Sequence, residues 1–150
     1  MSTPSEPIVG ISLRRAQHTF RQALEVELRP IQLSVPLAGI LLSLGQRDGM
    51  CGAELARRET VTAQTMNQLV ARLVKRGLVE RRRHATHGRM LTLHLTDAGR
   101  QALADGLAQA VAVEDRMLRA FSPSERRRLV CDLERCVEAL ASDEVRPSPA

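Results

Sequence analysis

Apolar residues recur at Ile8, Ile11, Ala16, Phe20, Ala23, Leu24 and Leu28, mostly in steps of three and four, which predicts an amphipathic helix. Pro30 ends it. Ser34 reads as the N-cap of a second helix with Pro36 in its first turn, and Leu37, Ile40, Leu41 and Leu44 make that helix short and strongly apolar. Gly45 and the Asp48-Gly49 pair close it with a turn. Cys51 stands at an N-cap-like position with Glu54 three residues on, as in a capping box, and Ala53, Leu55 and Ala56 give a small third helix. Thr62 caps a fourth helix, whose positions Met66, Leu69, Val70 and Leu73 face inward while Gln64, Thr65, Asn67, Gln68 and Arg72 occupy the other side. Gly77 stops it.

From Leu78 the period falls to two. LVERRR and RMLTLHLT, joined by HATHG, predict a β-hairpin with Leu91, Leu93 and Leu95 on one side. Thr96 or Asp97 then opens a long helix carrying Leu103, Leu107, Ala110, Val111, Met117 and Leu118, with Gly99 and Gly106 as weak points. Ser122, Pro123 and Glu125 restart the chain as a second capping box, and Leu129, Leu133, Cys136, Val137 and Leu140 form the stripe of the last helix.

At 150 residues the chain fits one domain, read as a mainly α fold with a small β-wing. Two phenylalanines are its only aromatic residues, so the core must be aliphatic. The longest apolar run, Val35 to Leu44, is far short of a membrane span. The N-terminus carries no secretion signal, so a cytoplasmic protein without membrane attachment is expected. Three cysteines match neither a disulfide framework nor a zinc CxxC pattern. The net charge is +5, and its placement is more informative than its size. Between Arg57 and Arg100, ten basic residues face three acidic ones, a net of +7, which leaves −2 for the rest. A polyanion suits such a segment, although a solvated helix face would also account for clustered arginines.

The order helix, helix, turn, helix with a polar outer face, then basic hairpin is that of a winged helix-turn-helix. A helix N-terminus in the major groove presents short amide and hydroxyl side chains to base edges, and wing arginines reach phosphates or the minor groove. Gln64, Asn67 and Gln68 each offer a donor and an acceptor, the bidentate fork that suits adenine. The chain has no Gly-rich phosphate loop, GxSxG elbow or HExxH, and no paired carboxylates, so no catalytic residue, cofactor or metal is expected. A winged helix that docks a protein partner without reading DNA remains an alternative, and its binding would be insensitive to salt.

AELARRETVTAQTMNQLVARLVKRGLVERR, followed by GRMLTLHLTDAGR, resembles the MarR family of winged-helix transcription regulators, and the likeness extends from about Arg14 to Leu140. The resemblance implies a lobe at about 34–96 that binds DNA, with dimerisation helices at about 8–29 and 97–141. It implies Thr62 as cap and phosphate contact, Gln64, Thr65, Asn67 and Gln68 as base readers, Arg72 on the backbone, and Arg83, His87 and Arg89 in the wing. His87 stands where relatives usually carry an acidic residue that orients the wing arginine. The family's function implies a homodimeric repressor on a pseudo-palindromic operator in double-stranded DNA, released by a small aromatic or amphipathic effector. Pairing about a two-fold axis would bury the stripes of the arms and set the recognition helices ~34–36 Å apart. The effector cleft would draw on Arg14 and His18 of the first helix and Leu37 and Ile40 of the second. A thiol-based regulator sensing through Cys51 is the redox alternative, although peroxide-sensing relatives carry their cysteine in the first helix. His84, His87 and His94 lack a partnering carboxylate for zinc and are read as polar or phosphate-facing.

Overall fold

The computed structural model describes residues 8–83 and 90–143, which form two compact units dividing at Val113 and Glu114. The first unit opens with α1 (Val9–Leu28), which ends in a single 3-10 turn at Arg29–Ile31 containing Pro30. Gln32, with φ of 57°, reverses the chain there. The helices α2 (Val35–Gln46), α3 (Gly52–Arg58) and α4 (Ala63–Lys75) follow in the expected order. Ser34 makes no side-chain cap at α2. The Glu25 carboxylate of α1 accepts the Val35 amide at 2.9 Å instead.

Gly45 lies within α2 rather than in its closing turn, and a Cβ there would meet Leu103. The turn itself is made by Gly49, whose φ of 76° is readily available to glycine. Met50–Cys51 then forms a short strand, β1, that the sequence pattern does not announce. It pairs antiparallel with β3 (Leu91–Leu95), which pairs with β2 (Val79–Arg83), so the wing is a three-stranded sheet of order β1-β3-β2. The register sets Met50 opposite Leu93 on one side, and Val79 opposite Leu95 and Arg81 opposite Leu93 on the other.

The core is aliphatic throughout, joining Leu28, Leu37, Ile40, Leu41, Leu44, Leu55, Met66, Leu73 and Val79 with Leu93 and Leu95 of the wing. It seats α4 by its inner face on α2 and α3, and so fixes the direction of its outer face. Gly77, with φ of 68°, ends α4 as its position predicts. Thr96 starts α5 (Asp97–Met117), its hydroxyl donating to the Gly77 carbonyl at 2.6 Å and accepting the Gly99 amide at 3.0 Å. Gly99 and Gly106 prove to be points of close approach. A Cβ at Gly99 would stand 1.9 Å from the Leu78 carbonyl oxygen, and Gly106 is buried against Leu33 and Leu28.

In the second unit α6 (Pro123–Asp143) begins at the Ser122–Glu125 capping box. The Ser122 amide and hydroxyl donate to the Glu125 carboxylate, which holds its pKa below the usual range. Arg126 joins Asp115 at 3.1 Å and the Leu118 carbonyl at 3.0 Å. Val130, Leu133, Val137 and Leu140 are exposed along α6. Among the described residues no single helix is long and apolar enough to cross a membrane.

Candidate nucleic-acid interface

Helix α4 has two distinct faces. Met66, Val70 and Leu73 are at most 3% exposed, whereas Gln64, Thr65, Asn67, Gln68 and Arg72 all face solvent. Its N-terminus is closed by Thr62, whose Oγ1 accepts the Thr65 amide at 3.1 Å and donates to the Thr65 Oγ1 at 2.9 Å. That arrangement spends the Thr62 proton internally and leaves the Thr65 hydroxyl proton to be donated outward. Gln64, Asn67 and Gln68, spaced by three and four, share one face of the helix.

The wing adds an arginine that charge alone does not single out. Alternation along β2 puts Arg81 and Arg83 on one face and Glu80 and Arg82 on the other. Arg82 is held by the Glu80 carboxylate. Arg81 instead lines a cleft of about 350 Å³ with Gly52, Asn67, Val70, Leu91 and Leu93, so the wing strand and the recognition face of α4 each contribute a side chain to one cleft. Arg83 is exposed on the same face of the strand. His87 and Arg89 lie outside the described residues, as does His84.

Several other basic residues of the segment have structural partners. Arg58 donates to Gln46, Arg76 reaches the Gln32 carbonyl at 2.5 Å, and Arg100 is bonded to Asp97 and to the Leu95 carbonyl. Between α2 and α3, Ser43 donates to Glu59 at 2.6 Å and Arg47 pairs with Glu54 at 3.0 Å. These bonds fix the two helices beneath α4.

Cys51 is half-buried at the start of α3, and its amide donates to the Glu54 carboxylate at 2.8 Å. That bond and a second from the Cys51 side chain hold the Glu54 pKa below the usual carboxylate range, against the opposing effect of burial and with lesser help from Arg47 and Arg57. A carboxylate therefore already occupies the helix terminus beside the thiol, and α3 has only 7 residues. Cys131 and Cys136 are exposed on α6. No cluster of three metal-ligating side chains occurs among the described residues.

The effector residues expected from the sequence are not brought together. Leu37 and Ile40 belong to the core at 2% and 0% exposure, while Arg14 and His18 lie exposed on the N-terminal half of α1. An apolar cavity of about 210 Å³ opens instead among Leu24 and Leu28 of α1, Gly39 and Leu42 of α2, and Gly106 and Leu107 of α5. No charged side chain lines it. At its wall Gly106 faces Leu33 and Leu28, which a Cβ there would meet in ordinary van der Waals contact, a feature that a search for apolar stripes overlooks.

A model of the MarR family matches residues 31–90, the span from the end of α1 to the wing. The HTH-type transcriptional repressor Rv2887 of Mycobacterium tuberculosis is 31% identical over 143 residues, covering 95% of this chain and 100% of the relative. Its crystal structure in complex with salicylic acid superimposes with a TM-score of 0.75 at 30% identity, over 89% of this chain and 99% of that one. The same protein in complex with DNA gives a TM-score of 0.77 at 27% identity, over 87% and 98%.

Proposed function

Because this chain belongs to the MarR family of transcription regulators, we propose that it acts as a homodimeric repressor on a pseudo-palindromic operator and is released by a small aromatic or amphipathic effector. The observation that carries this reading is the exposed face of α4 bearing Gln64, Asn67 and Gln68, whose Asn67 lines one cleft with Arg81 of β2. In the proposal, residues 34–96 form the DNA-binding lobe and the helices at 8–29 and 97–141 form the dimer. Gln64, Thr65, Asn67 and Gln68 read bases, Thr62 and Arg72 hold phosphates, and Arg81, Arg83, His87 and Arg89 supply the wing. Such a regulator works in the cytoplasm, where its DNA is.

Dimerisation is supported by the apolar side chains left in water. Ile8, Val9, Ile11 and Leu13 on and just before α1, and Val130, Leu133, Val137 and Leu140 on α6, are 40–73% exposed. Fully burying one such side chain contributes about 1.5–3 kcal/mol, so two stripes supply ample drive for association. The effector is assigned to the cavity between α1, α2 and α5. An apolar cavity of about 150 Å³ accepts benzene, so about 210 Å³ admits a single ring whose polar substituent stays at the mouth.

Selecting bound fragments from random duplex tests the reading. It predicts two inverted half-sites with centres about one helical turn apart. A direct repeat, or no enrichment at all, would remove it.

A further inference from the structure

A polar chain, buried at Thr92 and open to solvent at Asp48, runs through the base of the wing. His94 on β3, its side chain 15% exposed, sets Nδ1 2.8 Å from Asp48 Oδ2 and Nε2 2.9 Å from the Thr92 Oγ1. Thr92, 6% exposed, in turn lies 3.2 Å from the backbone carbonyl of Arg82, its partner across the β2–β3 ladder. The DNA-binding reading uses none of these side chains.

Counting protons separates two states of this chain. Thr92 has one hydroxyl hydrogen and two neighbours that can accept it, His94 Nε2 and the Arg82 carbonyl. When the ring carries one proton, Nδ1–H serves Asp48 and the hydroxyl must donate to Nε2, so the Arg82 carbonyl loses it. When the ring carries two, Nε2–H donates to Thr92, and the hydroxyl hydrogen passes to the Arg82 carbonyl. Only the doubly protonated ring satisfies all three contacts at once.

We propose that His94 is a positioning residue for DNA binding, a proton-operated latch that tightens the wing through Thr92 and anchors it to the α2–β1 turn through Asp48. Histidine is the side chain whose unperturbed protonation change falls between about pH 5 and 8. The other charged and titratable groups on the elements packed against the ring are Glu80 of β2, directly opposite His94, Arg82 and Cys51, both opposite Thr92, and, next along the chain to Asp48 and near Cys51, Arg47 and Glu54. Arg47 is paired with Glu54, and Arg82 with Glu80. Asp48 is thus the one carboxylate among them directed at the ring. The rung that is made or lost adds to the β2–β3 ladder on the strand bearing Arg81 and Arg83, and this links the proton to the interface.

The functional arm of the test rests on the DNA-binding reading, and the structural arm does not. Affinity for a selected duplex is measured from pH 6 to pH 8 for the native chain, His94→Gln and Thr92→Val. The native chain should lose about two- to tenfold more affinity than either variant, the worth of one net hydrogen bond. The other histidines, His18, His84 and His87, are common to all three proteins, so the comparison isolates His94 and Thr92. Thr92→Val keeps the His94 charge but removes the relay, so a native pH slope in that variant overturns the latch. In parallel, amide exchange of β2 and β3 in the free protein should quicken between pH 6 and pH 8, beyond its intrinsic pH dependence, only in the native chain. Equal excess quickening in all three would also overturn it. Failure of all three proteins to bind any duplex would instead count against the DNA-binding reading, and the exchange result would still decide the latch.

Discussion

The Glu25 carboxylate of α1 accepts the Val35 amide of α2 at 2.9 Å, so one helix closes the first turn of the next. This bond replaces the local cap that Ser34 does not make. It also joins the arm assigned to dimerisation to the lobe assigned to DNA. Glu25→Ala is expected to cost about 0.5–2 kcal/mol of stability, as the loss of an N-cap does, and Ser34→Ala close to nothing. Urea unfolding of the two variants measures the difference.

Gly99 marks a point where α5 presses on backbone. A Cβ there would stand 1.9 Å from the Leu78 carbonyl oxygen, which no side-chain rotation relieves. Gly99→Ala should therefore destabilise by about 1–3 kcal/mol or more. Gly10 in α1 has nothing within 4 Å, and Gly10→Ala should stabilise by about 0.5–1 kcal/mol. Opposite shifts in the urea midpoint of the two variants are the expected result.

At the interface, amide and guanidinium substitutions should fail in different ways. Asn67→Ala is expected to cost about 1–3 kcal/mol of discrimination between operator and altered duplex. Arg81→Ala should weaken all duplexes alike and lower the salt slope by about 0.9. Competition titrations with matched and altered operators distinguish the two patterns.

Glu54 gives a pH signature. Its folded-state pKa is depressed, chiefly by the Cys51 amide, so its contribution to stability is present above the unfolded value of 4.5 and is lost as pH falls through the folded value. Glu54→Gln should be less stable than the native chain at neutral pH, and the gap should narrow as pH falls below 4.5. Unfolding midpoints measured across the acid range check both the sign and the window.

Features governed by neighbours in sequence were legible from the sequence. Thr62 capping α4, Gly77 ending it and the Ser122–Glu125 box opening α6 each depend on residues a turn apart. Features governed by distant contacts were not. Ser34 looks like a cap, but only the fold brings Glu25 to Val35. Met50–Cys51 is too short to display alternation and becomes a strand only by pairing with β3. Arg81, Arg82 and Arg83 are equivalent as a charge run, and the strand alternation alone puts Arg81 on the face that lines the cleft with Asn67 and Arg82 on the face of Glu80. Gly99 and Gly106 look like weak points until α5 is seen packed against Leu78 and Leu33.

The most direct test is a titration of the selected duplex at about 50 and 200 mM salt with the mass of the complex recorded. The account predicts two chains per duplex and an affinity whose logarithm falls with the logarithm of salt by about 0.9 for each phosphate neutralised. One chain per duplex, or binding indifferent to salt, would contradict it.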